Sequence, residues 1–82
     1  MPSNKSAKYS KPLKIPKDYA LMVSQLIDAR SNQKLSQEEL AYNIGCTASL
    51  IHKWETHKRI PSGFMLTCWL DALNYDITIT ER

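Results

Sequence analysis

Residues 37–56, QEELAYNIGCTASLIHKWET, constrain this chain more than any other stretch. They pattern as two short helices joined by a tight turn. Ser36-Gln37-Glu38-Glu39 is a capping box: the Ser36 hydroxyl accepts from the Glu39 amide, and the Glu39 carboxylate reaches back to the Ser36 amide. Leu40, Ala41 and Ile44 recur on one face of the helix that follows. Gly45 ends it, because a left-handed residue costs least as glycine. Thr47 caps the next helix, which runs to about Thr56, with Cys46, Ile51 and Trp54 directed inward. Two helices that cross closely need a small residue at the crossing, and Ala41 supplies it. Around the second helix, at about 100° per residue, Ser49, His52, Lys53 and Thr56 fall on the opposite face. That outer face is small or polar, carries a cation and contains no acid.

The rest of the chain is organised around this pair. Eighty-two residues hold one domain with a modest core. A first helix is expected from Lys17 or Asp18 to Ser31, with Tyr19, Val23, Leu26, Ile27 and Arg30 on one face. Ile60-Pro61-Ser62 reads as a loop and cap. A fourth helix is expected over 63–73, burying Met65 or Leu66, Trp69, Leu70 and Leu73, with Asn74 able to take a left-handed position at its end. Residues 75–80 then alternate with β-branched side chains and read as a strand. No second strand exists in the chain to pair with it. Either the same strand of another copy completes it, through Ile77 and Ile79, or it is an extended tail packed by Ile77 alone.

Charge is distributed unevenly. Lys5, Lys8, Lys11, Lys14 and Lys17 are the only charged residues among 1–17, giving that segment +5. The remaining residues hold six cations and eight anions, or −2. Residues 1–16 are rich in Lys, Ser and Pro and cannot bury enough apolar surface to order themselves. They are expected to form a flexible basic arm, either solubilising or directed at an anionic polymer. The resulting organisation is an arm over 1–16, a helical domain over 17–74 and a tail over 75–82.

Other chemistries find little support. Cys46 and Cys68 sit at apolar helical positions and read as reduced, buried small hydrophobes of a cytoplasmic protein. His52, His57 and Cys46 are five and six residues apart, which scatters them around a helix, so a metal site is not expected. No cofactor-binding loop, local catalytic signature, membrane span or secretory signal is present, and no enzymatic activity is expected. Trp54 and Trp69 lie on apolar faces and read as core.

The segments LSQEELA (35–41), IG (44–45), KWE (53–55) and KRIPS (58–62) resemble the phage-repressor and Cro family of XRE-type helix-turn-helix domains. The resemblance covers roughly residues 23–73. It implies an all-α, lambda-repressor-like bundle of four to five helices, here with the strand-like tail in place of the fifth. It also implies a sequence-specific regulator of transcription that binds double-stranded DNA, most simply a repressor, in a bacterial or phage-encoded homodimer. An antitoxin-type module that holds a protein partner is the alternative on the same fold. By this resemblance Ala48, Ser49 and Lys53, with His52 beside them, take the base-reading positions. Gln37, Thr47, Thr56, Lys58 and Arg59 take the phosphate-contacting ones. Arg30 and Glu55 match a structural ion pair between the first and third helices, whose disruption would cost about 3–5 kcal/mol. Lys34 and His57 stand where such proteins often carry glycine, and both turns are expected to be looser, at up to ~1 kcal/mol each.

Overall fold

The computed structural model describes residues 14–82. Four helices follow in order: α1 (Lys17–Asn32), α2 (Gln37–Ile44), α3 (Ala48–Glu55) and α4 (Gly63–Ala72). No strand occurs among the described residues. None of the described helices is long and apolar enough to cross a membrane.

Local chemistry sets where the helices begin. Ser36 accepts from the Glu39 amide at 2.9 Å while the Glu39 carboxylate accepts from the Ser36 amide at 2.8 Å, so the capping box is complete. The Thr47 hydroxyl accepts from Leu50 N at 3.2 Å, and the Ser62 hydroxyl from Met65 N at 3.2 Å. Each satisfies an amide that the first helical turn leaves without a partner. α1 has no side-chain cap and starts after Pro16, whose carbonyl accepts from Ala20 N.

All four helices end in the same way. A residue with positive φ follows the last turn: Lys34 (59°), Gly45 (94°), His57 (63°) and Asn74 (63°). The amide after it then reaches back five residues to a helical carbonyl: Leu35 to Arg30, Cys46 to Ala41, Lys58 to Lys53, and Tyr75 to Leu70, at 2.8–3.0 Å. This closure satisfies carbonyls that the helix end would otherwise orphan. It corrects the expectation of looser turns at Lys34 and His57. Both residues adopt the full left-handed conformation, because the hydrogen bond is retained and the cost appears as steric strain instead.

The helices enclose one core. Val23, Leu26, Ala29, Leu40, Ala41, Ile51, Trp54, Trp69, Leu70 and Leu73 are buried, and none of the buried residues among those described is polar or charged. Trp54 and Trp69 pack at its centre with ring centroids 5.2 Å apart and planes inclined by 33°. Ala41 is 2% exposed, consistent with a close α2–α3 crossing that has room only for a methyl group. Gln33 Nε2 donates to the Leu73 carbonyl at 3.0 Å, tying the end of α1 to the end of α4. Met65 and Leu66 share the flank of the core rather than one replacing the other.

Residues 75–82 continue without helix or strand. Ile77 is 57% exposed and Ile79 92% exposed, so the described residues leave most of both side chains uncovered. Between α4 and this tail lies an open groove of about 530 Å³, whose lining includes Cys68, Leu70, Tyr75 and Ile77.

Candidate nucleic-acid interface

α3 presents its polar face outward because its apolar residues are taken by the core. Ile51 and Trp54 are buried, while Ser49, His52 and Lys53 are exposed and Ala48 is half-buried. The only acid of α3, Glu55, is turned away from that face. Its carboxylate accepts from Arg30 Nε at 2.7 Å and from Arg30 Nη2 at 3.0 Å. The two side chains are 7% and 18% exposed, respectively. A bidentate, partly buried pair of this kind fixes the relative orientation of two helices, and losing one partner strands a charge. The exposed face of α3 therefore carries Lys53 with no carboxylate to offset it.

The pair is part of a larger network. Arg30 Nη1 donates to the Leu35 carbonyl at 2.9 Å, bracing the loop between α1 and α2. Gln37 Nε2 donates to Glu55 Oε1 at 2.9 Å, joining the first residue of α2 to the last residue of α3. Sequence patterning did not anticipate this use of Gln37, because the 18-residue separation carries no periodic signal. Nor did it anticipate the bond from Gln33 to Leu73. In both cases the side chain alone looks like an ordinary surface amide.

The two threonines at the ends of α3 differ in what they can still donate. Thr47 accepts a backbone amide, and its hydroxyl hydrogen has no acceptor among the described residues. Thr56 donates its hydroxyl to the His52 carbonyl at 2.8 Å. A phosphate oxygen only accepts hydrogen bonds. Thr47 can therefore reach a phosphate without loss, whereas Thr56 can do so only by releasing His52.

Beyond α3, Lys58 and Arg59 are exposed on the loop whose backbone is drawn back onto Lys53 O, at 2.8 and 3.2 Å. The first turn of α1 lies against this loop. The Tyr19 and His57 rings have centroids 5.8 Å apart and are tilted by 53°. Burial raises the Tyr19 hydroxyl above its ordinary pKa, which keeps it protonated. Lys14, just before that turn, and Lys17, its first residue, are exposed. Lys5, Lys8 and Lys11 lie outside the described residues. Burial also raises the Cys46 thiol, making it a poor nucleophile and fitting its packing against the core.

A helix closed by a tight left-handed turn, followed by a second helix with a cationic exposed face, is the arrangement of a DNA-binding helix-turn-helix unit. The helix-turn-helix family model matches residues 26–79, and the chain belongs to this family, in its XRE-type branch. It is accordingly a DNA-binding regulator of that type. The match includes α2, α3, α4 and the loops between them, together with the second half of α1 and much of the tail. No curated protein and no solved structure matches the chain significantly.

Proposed function

We propose that the protein represses transcription by occupying a specific double-stranded DNA site as a homodimer. The observation that carries this reading is the acid-free face of α3, with Ser49, His52 and Lys53 exposed beside the loop of Lys58 and Arg59. In this reading α3 lies in the major groove. Lys53 seeks the acceptor edge of guanine, Ser49 and His52 contact neighbouring base edges, and Ala48 meets a thymine methyl. Gln37, Thr47, Lys58 and Arg59 hold phosphates and set the register. Thr56 is the weakest of the assigned phosphate contacts, since its hydroxyl is already donated. The lysine arm adds sequence-independent affinity along the backbone or in an adjacent minor groove. Repression follows from occupancy alone, and the cell interior is where such a protein meets DNA.

Two copies would double a readout that is short on each. Ala48 and Ser49 are small, so a single α3 discriminates weakly. The exposed Tyr75, Ile77 and Ile79, on a tail with no strand partner among the described residues, support closure of the dimer through paired tails. Selection from random duplexes at a stated salt concentration tests the reading. The expected outcome is a two-fold symmetric sequence with half-sites about one helical turn apart. Recovery of no preferred sequence, together with a second chain that co-purifies, would favour the antitoxin-type alternative. The apolar tail favours that alternative too, since the same residues could seat a partner protein.

A further inference from the structure

We infer that Glu55 is a positioning residue for DNA binding: through Gln37 it aims one amide hydrogen at a phosphate. The inference rests on the proposed DNA-bound arrangement and extends it to a residue that faces the protein interior. Glu55 is an acceptor-only carboxylate with both oxygens already engaged by Arg30. The Gln37 amide must therefore present its nitrogen to Glu55, as the 2.9 Å contact has it. That fixes which end of the amide points inward. One of its two N–H groups is consumed by Glu55, and the second N–H and the carbonyl oxygen remain for other partners.

Gln37 is the first residue of α2, where a helix start leaves backbone amides without intrahelical partners, and in the DNA-bound arrangement the second N–H would join them on the phosphate. A glutamine on an open surface would sample many rotamers and lose that freedom on binding DNA. Here the freedom is lost on folding, through a carboxylate that is itself clamped by Arg30, and Arg30 is held in turn by the Leu35 carbonyl. The network links the end of α1, the loop after it, the start of α2 and the end of α3. The grip on a phosphate and the orientation of α3 thus depend on the same carboxylate.

The test reads the Gln37 side-chain amide by nitrogen-15 NMR in the full chain, alone and with a short mixed-sequence DNA duplex at low salt. In the free protein the two N–H signals should be widely separated, with one exchanging slowly with water. Adding duplex should shift the other. In Glu55→Asp, which keeps the charge for Arg30 but is one methylene shorter, the signals should converge. Duplex affinity should then fall as far as in Gln37→Ala, with the double variant no worse than either. The wild-type spectra stand alone if Glu55→Asp does not fold. Signals that are already convergent in the wild type would overturn the inference. So would a separated pair that duplex leaves in place while the α3 amides move, because Gln37 would then be purely structural. If the α3 amides also stay in place, the DNA-binding arrangement itself fails, and the inference falls with it.

Discussion

Lys34 and His57 hold the left-handed conformation with side chains that disfavour it. Their φ values of 59° and 63° place Cβ against the following carbonyl, a contact glycine lacks. Lys34 is exposed and makes no side-chain hydrogen bond among those described, so its side chain offers little to offset the strain. Lys34→Gly should stabilise the fold by about 1 kcal/mol, seen as a higher urea midpoint at unchanged slope. A lower midpoint would mean that the entropy gained by the unfolded glycine outweighs the relief. His57→Gly should gain less, because it also removes the ring packed on Tyr19. The left-handed turns themselves were legible at Gly45 and Asn74, whose residue types favour them. They were misjudged at Lys34 and His57, since local preference there is overruled by the hydrogen bonds to Arg30 and Lys53.

At the scale of the element, the legible features were those encoded within a few residues. Ser36 with Glu39, Thr47 and Ser62 each announce a helix start, and the observed bounds follow them closely. The apolar period picked out Val23, Leu26, Leu40, Ile51, Trp54, Trp69 and Leu73 as core. Ala29 was missed because a small apolar residue on a polar-looking stretch of α1 leaves little mark on the period. The contacts of Gln33 and Gln37 were illegible for a different reason: they depend on how helices meet, not on how each forms. The tail has no strand partner among the described residues. Its alternation of Ile77 and Ile79 with threonines suits pairing, and the groove beside α4 stays open. Ile77→Pro removes a ladder amide and should shift sedimentation towards the monomer at a given concentration. An unchanged mass distribution would show that the tails do not pair between copies.

For the molecule as a whole, the placement of exposed cations bears on how it would bind. Lys53, Lys58 and Arg59 are exposed on α3 and the loop after it, and the contact of Tyr19 with His57 brings the start of α1 to that same loop. Residues 14–16 therefore enter the domain beside residues proposed to hold phosphates. Deleting residues 1–16 removes four lysines and should flatten the dependence of log affinity on log salt by up to roughly 3–4 units, at about 0.9 per phosphate released. An unaltered slope would show that the arm stays off the DNA. We propose that the exposed face of α3 reads base edges, and Lys53 is the lysine on that face. Binding-site selection repeated with Lys53→Ala tests that claim most directly. One position per half-site should lose its guanine preference, by about 1–3 kcal/mol, while the remaining positions keep theirs. An identical selected sequence from both proteins would contradict it and turn α3 away from the groove.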